Sequence, residues 1–214
     1  MKVFVVGSNG QVGQHLISLL SQSQEHTVKA MVRKQEQAVA YQALGVETVI
    51  ADLEGTVEEL AQAAKGSDAI IFTAGSGGKT GYDKTLLIDL DGAVKTIEAA
   101  EKAGIERFIM VSALQAQHRE NWHDAIKPYY VAKHYADKIL ELSNLNYTII
   151  RPGGLLNESG TGKITVAENI MSGSIPREDV ASVVIAALNE EHTFRRSFDL
   201  ISGEEHITTA LKQI

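Results

Sequence analysis

The stretch Val3-Phe4-Val5-Val6-Gly7-Ser8-Asn9-Gly10-Gln11-Val12-Gly13 decides the fold. An apolar run of strand character enters a glycine-rich turn, and a helical pattern through Leu16, Ile17, Leu19 and Leu20 follows. In such a strand-turn-helix unit the first glycine frees the backbone to turn and the second lets a pyrophosphate approach the main chain. The third permits close packing of helix on strand. The peptide N–H groups that open the helix then attract the negative charge. The spacing is GxxGxxG rather than the commoner GxGxxG, so the strand before it and the helix after it carry the assignment.

Working outward, the next apolar run is Val28–Val32, and it ends in Arg33 and Lys34. An acid at this point would bind a ribose 2′-hydroxyl. Two cations attract a 2′-phosphate instead, so NADP(H) is expected in preference to NAD(H). The alternative is a pair of solvated charges at a strand end. Asp52, followed by Leu53, stands just past the third run, placed to accept from an adenine amino group or to serve as a turn residue.

Further runs at Val46–Ile50, Ala69–Phe72, Phe108–Val111 and Tyr147–Ile150 also read as buried parallel strands. Helical patterns separate them. Leu86, Leu90, Ala93, Val94, Ile97 and Ala100 share one face over about 84–103, with Gly104 as C-terminal cap. A second helix starts at Pro128 and runs through Ala132, Ala136, Ile139 and Leu140. A third begins near Glu178 and Asp179 and buries Val180, Val183, Val184, Ala187 and Leu188. Alternating strands and helices require crossover connections, hence an α/β, doubly wound parallel sheet. The expectation is one domain over 1–214 with a small C-terminal substrate-side region. The segment 153–174, rich in Gly, Ser and Asn, reads as a loop over a cleft.

Composition removes several chemistries. The chain has no cysteine, so disulfides, thiolate nucleophiles and Cys-ligated zinc are absent. A formal charge of −7 disfavours broad contact with nucleic acid. No apolar run approaches the ~20 residues of a membrane span, which makes the cytoplasm the expected location. His118, His123 and His134 match no common metal spacing, and no metal is expected. Gly78-Lys79-Thr80 ends like a P-loop, but Thr73 stands where its first glycine belongs. Ala74-Gly75-Ser76-Gly77-Gly78 resembles a nucleophile elbow without a convincing late His and acid.

Together Gly7–Gly13, Arg33, Asp52-Leu53, Thr73-Ala74-Gly75, Val111-Ser112-Ala113, Tyr129-Tyr130-Val131-Ala132-Lys133 and Thr148–Gly153 follow the order of the short-chain dehydrogenase/reductase superfamily. The chain most resembles its small atypical, NmrA-like NAD(P)H-binding branch. That resemblance covers nearly the whole chain and implies a Rossmann fold with Ser112, Tyr129 and Lys133 as the catalytic set. Tyr129 and Lys133 are four apart and share a helical face. A nearby ammonium is expected to lower the phenol from its ordinary value, letting Tyr129 exchange a proton with a carbonyl or alcohol oxygen. Ser112 would hydrogen-bond the same oxygen, and Lys133 would also hold the nicotinamide ribose. Chance spacing is the alternative, and Tyr130 is a second phenol. The resemblance further implies that Thr73-Ala74-Gly75 lies over the ribose and that Pro152, Gly153 and Leu155 face the carboxamide. Where related enzymes often carry Asn, this chain has Asp89, which cannot donate an amide hydrogen bond when ionised.

The sequence therefore points to an oxidoreductase acting on a small carbonyl, quinone or alcohol. A non-catalytic NADP(H)-binding redox sensor and a sugar-nucleotide epimerase or dehydratase are the alternatives. Partners are expected to be a small-molecule substrate and, at most, copies of the chain in a small homo-oligomer.

Overall fold

The computed structural model describes residues 1–78 and 80–214, so the Lys79 of the P-loop-like tripeptide falls outside the described residues. The chain runs β1 (Lys2–Val6), α1 (Gln11–Ser21), β2 (Thr27–Val32), α2 (Gln35–Gln42), β3 (Glu47–Ile50), α3 (Val57–Ala64) and β4 (Ala69–Phe72). Next come α4 (Tyr82–Lys84), a π-helical turn (Thr85–Asp91), α5 (Gly92–Ala103) and β5 (Arg107–Val111). The remainder is α6 (Lys127–Leu142), β6 (Asn146–Pro152), β7 (Gly154–Leu156), β8 (Lys163–Ala167), β9 (Ser174–Pro176), α7 (Arg177–Ala187), β10 (Arg196–Ser202), β11 (Glu205–His206) and α8 (Ile207–Ala210).

All six runs read from the sequence are strands of one sheet, ordered β11-β8-β10-β6-β5-β4-β1-β2-β3. From β3 to β10 every pairing is parallel. Strands β4 and β5 are buried along their whole length because helices cover both faces. One face packs Val3, Val5, Ile71 and Ile109 under α1 and α7. The other packs Phe4, Phe72, Phe108 and Met110 under α3, α5 and α6. After β3 the chain crosses back to the far side of β1 to form β4, which opens a crevice at the carboxyl ends of β1 and β4. That reversal point is where such sheets bind ligands.

The glycine turn fits this crevice. Gly7 has φ +90°, and a Cβ there would lie 2.6 Å from the Ala74 nitrogen. A Cβ on Gly13 would stand 2.1 Å from the Gly7 carbonyl oxygen, so α1 rests directly on the end of β1.

Three expectations need correction. The segment 153–174 holds β7, β8 and the start of β9, and β8 pairs antiparallel with β10 at the sheet edge. Its inward side chains Ile164 and Val166 alternate with polar ones for too few residues to stand out against the surrounding Gly and Ser. The helix over 84–103 is interrupted: the π turn inserts a residue, so Ile88 and Asp89 face inward while Leu86 is 52% exposed. On α6, Ile139 is 39% exposed, and Ala132, Ala136 and Leu140 make the core face.

Gly13→Ala should lower stability by about 1–3 kcal/mol in urea denaturation, as overpacking does. Gly78→Ala, where an added Cβ meets nothing, should stay within about 0.5 kcal/mol of the natural chain.

Candidate active site

Helix α1 opens without help from its own side chains. No side chain caps Gly10, and the first turn carries no acidic residue. Its leading peptide N–H groups therefore present an uncompensated positive end, as an anion requires. Asn9, Gly10 and Gln11 are exposed there, while Val12 and Gly13 are buried. Ser8 is turned inward: its hydroxyl donates to the Met31 carbonyl at 2.5 Å, and Tyr41 Oη donates to the Ser8 carbonyl at 2.8 Å. Ser8 thus ties the turn to β2 and can offer a ligand only its main chain.

Beyond β2, Arg33 and Lys34 are both exposed, and among the described residues neither makes an ion pair. Gln37 Oε1 accepts from both of their backbone amides and fixes the start of α2. Asp52 is exposed and accepts from the Glu54 amide at 3.0 Å, a turn-forming bond. Leu53 is buried against the start of α5, where a Cβ on Gly92 would meet it at 3.1 Å.

Thr73, Ala74 and Gly75 extend from β4 across the Gly7 turn, with the Thr73 amide bonded to the Val6 carbonyl at 2.9 Å. On the far side, the Leu114 amide bonds to the Pro152 carbonyl at 3.0 Å, and the Gly153 amide bonds to the Leu200 carbonyl at 2.9 Å. Leu155 is 37% exposed, and its carbonyl accepts from Arg177 at 3.0 Å.

The predicted catalytic residues converge on the ends of β4 and β5. Lys133 is 4% exposed and donates to the Val111 carbonyl at 3.2 Å. Its Nζ stands 6.0 Å from the Phe72 ring centroid and 5.8 Å from that of Tyr129. Tyr129 is half-buried, whereas Tyr130 stacks on Trp122 with centroids 6.0 Å apart. Only the first phenol therefore adjoins the lysine. The expected lowering of the Tyr129 phenol is overturned: burial pushes it up, and the Asp89 carboxylate adds to the rise. Lys133 is held by the Val111 carbonyl and faces Asp89, so its charge is not spent on the phenol.

Ser112 continues the face of β5 that packs under α6. Its buried hydroxyl lies against Asp137 without a well-aligned bond, and Ser112 Oγ and Asp137 Oδ1 both lack a partner among the described residues. Asp137 accepts from Arg151 Nε at 2.8 Å, and Glu141 accepts from the same guanidinium at 3.4 Å. Burial pushes the Asp137 carboxyl up; Arg151 pulls against it. Sequence reading missed Asp137, although it follows Lys133 by the same four residues that separate Lys133 from Tyr129. It also missed Gln115, which has φ +66° and donates to Asn169 Oδ1 and the Ile170 carbonyl, tying the loop after β5 to the segment after β8.

A cavity of about 710 Å3 opens over β6, β8 and β10, lined by His118, Glu141, Arg151 and Thr165 among others, away from Tyr129. Among the described residues no cluster of side chains could hold a metal ion, and no helix is long and apolar enough to cross a membrane.

Comparison with known proteins shows the family. The NAD(P)H-binding family model matches residues 7–191. A Bacillus subtilis protein named as an uncharacterized sugar epimerase, YhfK, is 64% identical over 214 residues, covering 100% of both chains. The crystal structure of the oxidoreductase ylbE from Lactococcus lactis is 40% identical with a TM-score of 0.92, covering 100% of this chain and 96% of that one. ChuY from Escherichia coli O157:H7, described as an anaerobillin reductase, is 26% identical with a TM-score of 0.83, covering 94% of this chain and 97% of its own.

Arg151→Met leaves Asp137 buried and unpaired, and should cost about 3–5 kcal/mol in chemical denaturation. Adding Asp137→Leu should recover most of that loss, because the pair is then replaced by apolar contacts.

Proposed function

The chain belongs to the NAD(P)H-binding family, and we propose that within it this protein is an NADP(H)-dependent oxidoreductase. It transfers hydride to or from a small carbonyl, quinone or alcohol, with Tyr129 as the acid/base. The observation that carries this reading is the meeting of Tyr129 and Lys133 at the carboxyl ends of β4 and β5, beside a helix start suited to a diphosphate.

The residues fit the cofactor. The first-turn amides of α1 would bind the pyrophosphate, with Gly7, Gly10 and Gly13 leaving room for it. Arg33, assisted by Lys34, would hold the 2′-phosphate, and Asp52 and Leu53 would border the adenine. Thr73, Ala74 and Gly75 would lie along the ribose, Lys133 would reach its hydroxyls, and Pro152, Gly153 and Leu155 would face the carboxamide. When bound, the dinucleotide supplies a hydride. Tyr129 holds the proton that the substrate oxygen needs. Ser112 is read from the sequence as a donor to that same oxygen; its burial beside Asp137 favours a supporting part, keeping the base of α6 in register with β5.

The name of the Bacillus subtilis relative favours a second reading, epimerisation of a sugar. A panel of nucleotide sugars separates it from carbonyl reduction by product analysis.

With a panel of quinones, aldehydes and ketones, Tyr129→Phe should lower kcat/KM for NADPH oxidation by about 10²- to 10⁴-fold. Turnover that survives the substitution rejects Tyr129 as the acid. Tight cofactor binding with no turnover on either panel would favour the redox-sensor reading. In calorimetry, Arg33→Asp should weaken NADPH by about 10- to 100-fold, the worth of one charged hydrogen bond, and leave NADH nearly unchanged. Equal losses would reject the 2′-phosphate contact.

A further inference from the structure

The π turn delivers Asp89 into the middle of the site. Asp89 is 1% exposed, and its Oδ2 accepts from the Ser76 amide at 2.9 Å. A Cβ on Gly75 would stand 3.1 Å from its Oδ1, so the carboxylate lies flat against the turn that follows β4. The same Oδ1 is 4.0 Å from Lys133 Nζ. The two charges are shut away together, and the lysine is further anchored by the Val111 carbonyl. An asparagine here would leave the ammonium as an uncompensated charge beside the phenol, which favours phenolate. An aspartate makes the pair neutral overall. The other groups whose charge acts on Tyr129 are Tyr130 and Asp137 from its own helix.

We propose that Asp89 is a positioning residue that takes up the charge of Lys133 and so keeps Tyr129 a protonated donor, suiting the site to reducing a carbonyl. This rests on the oxidoreductase reading above. In reduction the carbonyl carbon receives a hydride with its electron pair, the Tyr129 O–H bond breaks as the new alcohol O–H forms, and water reprotonates the phenolate. Oxidation of an alcohol must begin from that phenolate, which this arrangement makes scarce. The upward push of burial and of Asp89 on the phenol agrees with the geometry.

Asp89→Asn tests the idea, because an amide oxygen of the same shape can still accept from Ser76. The first readout needs no substrate: ultraviolet difference titration of tyrosinate, with the matching Tyr129→Phe chain subtracted. In the natural chain Tyr129 should not ionise below about pH 11, beyond the ordinary tyrosine value near ~10. In Asp89→Asn it should ionise at least one pH unit lower, roughly a tenfold change in acidity. Asp89→Ser should move it the same way, in case the first variant folds poorly. With an alcohol substrate, the alkaline rise in oxidation should shift down by the same interval. A folded variant whose tyrosinate titration is unmoved overturns the proposal, and so does natural-chain ionisation below about pH 10. A titration that moves in a protein without turnover on any substrate supports the role of Asp89 and rejects the oxidoreductase reading instead.

Discussion

The structure depends on one contact between main chains. The turn after β1, the start of α1 and the strand end of β4 meet so closely at Gly7 and Gly13 that no side-chain carbon fits between them. This approach sets α1 on the sheet with its amino end over the crevice between β1 and β4. It also brings the Thr73–Gly75 segment alongside, and from there the polypeptide passes to the π turn and Asp89. A positive helix end facing the crevice at the carboxyl ends of β1 and β4 is thus a by-product of how the first unit packs.

Around that crevice the buried charges lie along α6. Tyr129, Lys133 and Asp137 stand four residues apart and share one face, but their surroundings differ. Lys133 is met by the Val111 carbonyl and Asp89, and Asp137 by Arg151 of β6. Each of these charges is buried with a counterpart, so the helix can lie against β5 and β6 without an uncompensated ion. The phenol at the head of the series has no charged partner of its own, which is what the proposed acid/base role requires.

The β1–α1 unit was legible because its signal is local: apolar run, glycines and helical period follow one another without interruption. The inner strands β1, β2, β4, β5 and β6 were legible for the same reason, since burial on both faces writes them as near-continuous apolar runs rich in Val, Ile and Phe; β3, at one edge, was legible from its apolar run Val46–Ile50. The edge was not. Strands β8 and β11 are short, half-solvated and made of residues that equally suit loops, and only the long-range pairing of β8 with β10, and of β11 with β8, gives them form. In the site, spacing on α6 disclosed that Tyr129 and Lys133 share a face, and the family resemblance singled them out, but neither showed that Ser112 would face Asp137, because that depends on which side of the sheet the chain presents after β5. The direction of the Tyr129 shift was hidden likewise: it follows first from burial, which only the packing sets, and then from a carboxylate forty residues earlier in the chain.

The extra residue in the turn Thr85–Asp91 acts as an angular offset between the two halves of a long helix. Shortening that stretch by one position would restore a regular spiral, swing the acid by about 100° and leave the hydrophobic faces on either side mismatched. Insertions and deletions here are therefore rotational changes at the candidate site, unlike those in the surface loops, and the length of this segment carries information that its composition does not.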